Sequence, residues 1–136
     1  MKKKVLFICT HNSARSQMAE GLFNTYHGDE YEAYSAGTEI ATINPYAIKV
    51  MAEIGIDISK NRSKSIDEFR GKIFDVVVTV CDNAKEACPF FPGKIILHKS
   101  FKDPSKIKGI ENDILDEVRR IRDEIKEWIQ KTFECK

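Results

Sequence analysis

The chain has 136 residues, enough for a sizeable apolar core, and its 22 Lys plus Arg stand against 21 Asp plus Glu for a formal charge of +1. That balance sets up no long-range field for a polyanion, and the one basic run, Lys2-Lys3-Lys4, reads as a short solvated leader. Neither nucleic acid nor a membrane is therefore an expected partner.

No apolar stretch approaches the ~20 residues that span a bilayer, and "VLFI" ends too soon in polar sequence for a signal peptide. A cytoplasmic location is expected, with Cys9, Cys81, Cys88 and Cys135 reduced at rest. One domain over residues 1–136 is expected, without repeats or linkers.

In chain order, "KVLFIC" reads as a short buried strand of parallel-sheet type. Met18, Ala19, Leu22 and Phe23 then recur at helical spacing from Ser16 to about Tyr26, and Gly28 is expected to close that helix at positive φ. "YEAYSAG" is a weaker second strand closed by Gly37. Asn44 followed by Pro45 is a cap and first-turn pair, opening a helix that runs through Met51 and Ile54 and stops at Gly55.

A short helix is predicted over Ser65 to Arg70, then the strand "FDVVVTV", which ends at Cys81, and a fourth strand, "KIILH". From about Ile110 the positions Ile114, Val118, Ile121, Ile125, Trp128 and Ile129 mark a long amphipathic helix with Asp123 and Glu127 on its solvated face. The order predicts an α/β fold, a three-layer α/β/α arrangement around a four-stranded parallel sheet.

Ligands bind such sheets outside the carboxyl ends of the strands. Cys9, Cys81 and "SFKDP" (Ser100 to Pro104) each lie just past a strand, so the fold should gather them at one edge. The loop Thr10, His11, Asn12, Ser13, Ala14, Arg15 and Ser16 connects the first strand to a helix N-terminus, where backbone N–H groups can cradle an oxyanion. Arg15 adds a planar fork for two of its oxygens, and the same field favours the thiolate of Cys9. Ser16 can donate to the sulfur, Asn12 can hold a positive-φ position, and Ser13 can support either.

"CTHNSARSQMAEG" resembles the active-site loop of the low-molecular-weight tyrosine phosphatase superfamily, especially its thioredoxin-coupled arsenate reductase branch. The resemblance continues through "YSAG", "NPYAI", "GIDIS", "VVTVCD" and Asp103-Pro104. His11 stands where many relatives have glycine, and Ala14 where many have a second cysteine. Neither His11 nor Cys135 is assigned a chemical role.

The resemblance implies that Cys9 attacks the central atom of a tetrahedral oxyanion held by Arg15 and the loop, while Asp103 protonates the departing oxygen. It offers two outcomes. A phosphatase would hydrolyse a Cys9 phosphocysteine with water. A reductase needs further thiols, and "CDNAKEAC" supplies Cys81 and Cys88 in a polar segment past a strand end.

The family's cascade would pass from Cys9 to a Cys9–Cys81 disulfide and then to Cys81–Cys88, which thioredoxin reduces. Disulfide Cα atoms lie about 4.4–6.8 Å apart, so the stretch from Cys81 to Phe91 is expected to rearrange during turnover. Phosphatases of the family usually carry paired aromatics after the "DP", where this chain has Ser105 and Lys106. Tyr34, Tyr46 and Phe101 could line the mouth but read as core.

Arsenate reduction with weak phosphatase activity is therefore the expected function. Arsenate, phosphate or sulfate is the expected ligand of a monomer. No cofactor is expected, and no metal: His27 and His98 lack partners at ligand spacing. Some relatives bind potassium through residues matching Asn12, Glu20 and Ser35, and Lys64 falls where its ammonium would compete with such a cation.

Overall fold

The computed structural model describes residues 2–81 and 91–133. Its elements are β1 (Lys3–Cys9), α1 (Arg15–His27), β2 (Tyr31–Gly37), α2 (Pro45–Ala52), a 3-10 helix (Ile66–Phe69), β3 (Val76–Thr79), β4 (Ile95–His98), a second 3-10 turn (Pro104–Lys106) and α3 (Glu111–Thr132). The four strands form one parallel sheet in the order β2-β1-β3-β4. The predicted α/β class is the one observed.

Strand alternation divides the core. Val5, Phe7 and Cys9 of β1 face α1, α2 and α3, whereas Leu6 and Ile8 face the layer that contains the 3-10 helix residues Ile66 and Phe69. That parity places the Cys9 side chain on the same face as the start of α1. On the larger face, Met18, Leu22 and Phe23 of α1 and Val118, Ile121, Ile125 and Ile129 of α3 are all buried. The smaller core holds a run of edge-on rings, Tyr34, Phe69, Phe74 and Phe91, with neighbouring centroids 5.8–5.9 Å apart.

The helix starts follow their local chemistry. Asn44 Oδ1 accepts from the N–H groups of Tyr46 (2.8 Å) and Ala47 (3.3 Å), with Pro45 in the first turn. The helix ends at Ala52, before the predicted stop, and the chain then turns through Gly55 at φ +80°.

Gly28 overturns an expectation. Its φ is −63°, an ordinary helical value, so no left-handed cap is formed. Glycine is needed there because a Cβ would lie 2.3 Å from the carbonyl oxygen of Asn24. Among the described residues, no helix is long and apolar enough to cross a membrane.

Candidate active site

The order β2-β1-β3-β4 puts the point where the chain reverses direction across the sheet between β1 and β3, and the crevice outside their carboxyl ends is the expected binding position. β1 delivers Cys9 to that edge, and β3, paired with it through Ile8 and Thr79, leads two residues later to Cys81. Both side chains are buried, Cys9 at 1% and Cys81 at 0% exposure, in the same apolar cluster.

Between Cys9 and α1 the loop turns its carbonyls outward. Thr10 C=O accepts the Glu39 N–H at 2.9 Å, His11 C=O the Ser63 hydroxyl at 2.7 Å, and Ser13 C=O the Asn44 N–H at 2.9 Å. On the concave side the Asn12 N–H lies 3.2 Å from Cys9 Sγ. Asn12 is the one non-glycine residue at positive φ (51°) among the described residues, as expected. Histidine is therefore not strained at position 11.

Gly37, at the end of β2, lets the loop close over the sheet: a Cβ there would lie 2.6 Å from Thr10 O and 2.8 Å from Asn12 N. No side chain caps α1, whose cap position is Ala14, so its first turn presents backbone donors to the same space.

The predicted Ser16 contact is present, with Oγ 2.9 Å from Cys9 Sγ. Arg15 is 3% exposed; its Nη1 donates to Phe101 C=O at 3.3 Å, and its Nη2 lies 3.7 Å from Asp103 Oδ2. Ser13 supports the wall of the site, donating to Thr42 C=O at 2.6 Å. A cavity of about 320 Å³ is lined by Cys9, His11, Ser13, Ala14, Arg15, Ala41, Thr42, Asn44, Pro45 and Asp103. A thiol at its floor, a guanidinium beside it and a carboxyl at its rim can carry nucleophilic attack, anion binding and proton donation respectively.

Of the predicted residues, Cys9, Arg15, Ser16 and Asp103 are brought together, and Cys81 stands at the adjacent strand end. Cys9 is a free thiol. Cys81 is disulfide-bonded. Cys88 and Cys135 lie outside the described residues, as does most of the segment expected to rearrange.

Tyr34 packs with Phe69 and Phe74, Tyr46 borders the large core, and Phe101 stacks edge-on with Trp128 at 6.3 Å. None of the three lines the cavity.

His98 is bonded to the Thr79 and Ser100 hydroxyls at 2.6 and 3.1 Å, and the His27 ring packs on Phe23 at 5.0 Å. Among the described residues, no group of three or more His, Cys, Asp or Glu is placed to hold a metal ion. Lys64 Nζ lies 3.8 Å from Glu20 Oε1, which also accepts the Ser35 hydroxyl at 2.6 Å.

Sequence reasoning missed Gln17 and the loop of residues 61–64. Gln17 is fully buried and bonds to Asn12, Asn61 and Arg62. A polar amide within the buried stripe of α1 was the available signal.

The family model for low molecular weight phosphotyrosine protein phosphatases matches residues 4–134. The chain is 48% identical to the arsenate reductase of Halalkalibacterium halodurans over 133 residues, covering 97% of this chain and 95% of that one. Among solved structures it is similar to an arsenate reductase in the phosphate binding state, with a TM-score of 0.81, 33% identity, and coverage of 96% of this chain and 95% of that one. It is also similar to a thioredoxin-dependent arsenate reductase of Corynebacterium glutamicum, with a TM-score of 0.63 and 31% identity; 96% of this chain matches 63% of that one.

Proposed function

The chain belongs to the low molecular weight phosphotyrosine protein phosphatase family, and from that premise we propose that it reduces arsenate to arsenite, with thioredoxin as the final reductant. The observation that carries this reading is a pair of buried cysteines, Cys9 and Cys81, brought to one sheet edge by the paired strands β1 and β3. A hydrolase of this design needs only the first.

Arsenate enters the loop, with Arg15 and the backbone N–H groups of residues 10–16 on its oxygens. The Cys9 thiolate forms a sulfur–arsenic bond, and one arsenate oxygen leaves as water after protonation, with Asp103 as the acid. The Cys81 thiolate then attacks Cys9 Sγ. A sulfur–sulfur bond forms, the sulfur–arsenic bond breaks, and its electron pair stays on arsenic, which leaves as arsenite. Cys88 attacks Cys81, releasing the Cys9 thiolate and leaving Cys81–Cys88, and the thioredoxin dithiol supplies the two electrons that reopen it.

Phosphate shares the charge and shape of arsenate, so slow phosphate monoester hydrolysis through a Cys9 phosphocysteine accompanies the main reaction. No aromatic side chain is found in the described lining of the cavity, which disfavours a phosphotyrosine substrate. The reading carries with it a monomer working in the cytoplasm as one domain, without a metal or other cofactor.

Arsenate, thioredoxin, thioredoxin reductase and NADPH provide the test. Arsenate-dependent NADPH loss is expected in the wild type and is abolished in Cys88→Ser. Brisk aryl phosphate hydrolysis with no NADPH loss would instead mark the protein as a phosphatase.

A further inference from the structure

We propose that Gln17 is a positioning residue that sets the direction of the hydrogen-bond chain ending on the Cys9 sulfur, and that Asn61 anchors it. The inference rests on Cys9 being the nucleophile, not on which oxyanion it attacks.

The chain starts from a donor that cannot be reversed. The backbone N–H of Lys64 donates to Asn12 Oδ1 at 2.7 Å, which fixes the oxygen end of that side-chain amide. Gln17 Nε2 donates to the same oxygen at 2.9 Å and to Arg62 C=O at 3.0 Å, with Asn12 C=O sharing a hydrogen at 3.3 Å. Asn61 Nδ2 donates to Gln17 Oε1 at 3.0 Å and so fixes the Gln17 amide in turn.

With Oδ1 occupied twice, Asn12 Nδ2 donates to Ser16 Oγ at 2.8 Å. The proposed direction has Ser16 donating its O–H to Cys9 Sγ, 2.9 Å away, where Asn12 N–H also arrives at 3.2 Å.

The links through Asn12 Nδ2 and Ser16 run toward the sulfur. Two donors converging there favour the thiolate, because a thiol must itself donate. Asn12, Ser16 and Gln17 are each 0% exposed, so no bulk water replaces a missing donor. A core position on α1 that needed only volume would hold an apolar residue. Here the amide satisfies both its oxygen and its nitrogen, and it also braces Asn12 in its left-handed conformation.

Gln17→Glu is nearly isosteric but puts an acceptor where Nε2 donated, facing Asn12 Oδ1. Gln17→Met keeps the volume and removes the bonds. Asn61→Asp presents an acceptor to Gln17 Oε1 and removes the bond that holds the oxygen end of that amide. In each full-length variant the pH–rate profile of iodoacetamide alkylation is followed at the Cys9 peptide by mass spectrometry, beside a thermal melt.

Alkylation of Cys9 at neutral pH is expected to slow about tenfold in Gln17→Glu and by less in the other two. Asn61→Asp should have no further effect on that rate when combined with Gln17→Met. Profiles that superimpose on the wild type overturn the proposal, even where melting temperatures fall, because that result describes structural support alone. Should Gln17→Glu fail to fold, partly exposed Asn61 still decides the matter. Alkylation needs no arsenate and no phosphate, so failure of the arsenate reading leaves this measurement intact.

Discussion

Two arginines of this protein are buried, and they do opposite things. Arg122, 8% exposed on α3, is committed on every side: Nη1 donates to Val50 C=O at 2.8 Å and to Glu53 Oε1 at 3.0 Å, and Nε donates to Asp123 at 2.8 Å. Burial works against its charge, but the hydrogen bonds it donates to Asp123 and Glu53 more than offset it and hold the guanidinium above its usual range. It fastens α3 to the end of α2.

Arg15 is more deeply buried, and it donates to Phe101 C=O at 3.3 Å and lies 3.7 Å from Asp103. It also borders a cavity, which Arg122 does not. Burial of a cation is therefore a poor mark of function. A cation held beside an open cavity and a nucleophile is a better one.

Substitution separates the two most sharply at Arg15. Arg15→Ala is expected to lower kcat/KM for arsenate by about 10³-fold, the scale of losing an oxyanion-holding donor, with a smaller fall in melting temperature than Arg122→Met. Steady-state kinetics beside calorimetry reads both. Equal stability losses with full activity in Arg15→Ala would erase the contrast.

Asp103→Asn comes next. Loss of the proposed acid should reduce kcat by about 10²-fold or more while anion affinity, measured with phosphate, changes little.

Arg122→Met is expected to cost about 1–3 kcal/mol in urea unfolding, since it strands the Val50 carbonyl and one side of Glu53, and to leave the turnover of folded protein unaltered.

The smallest effect tests the charge cluster through pH. Hydrogen bonds from Arg119 hold the Glu53 carboxyl below its usual range; partial burial opposes them, and the Arg122 hydrogen bond assists. Its stabilising contribution is complete above the ordinary glutamate range and fades as pH falls through the lowered native value. Glu53→Gln should thus be less stable than the wild type at neutral pH, and the gap should close in acid. Parallel stability curves down to low pH would show that the carboxylate charge is immaterial.

Much of the active-site loop was legible because its parts are close in sequence. Cys9, Asn12, Arg15 and Ser16 are joined by one strand, one turn and the start of one helix, so local rules of burial, φ preference and helix polarity were enough to assign them. The second half of the network was not legible. Gln17 meets Asn61 across 44 positions and Asn12 meets Lys64 across 52, and no periodicity reports such contacts. Gly28 was misread for a related reason. Its identity is dictated by the approach of a carbonyl one turn back, a constraint that the torsion angle usually associated with glycine does not express.

The succession of elements and the parallel class of the sheet could be read from the residues alone, because apolar spacing and helix-start signals act within a few residues of one another. Which buried polar groups gather near the sulfur, and which join helices, became visible only in three dimensions. Those assignments depend on donors and acceptors that meet only when the loop of residues 61–64 closes against the end of β1, and the direction of a hydrogen bond is a property of two partners, never of one.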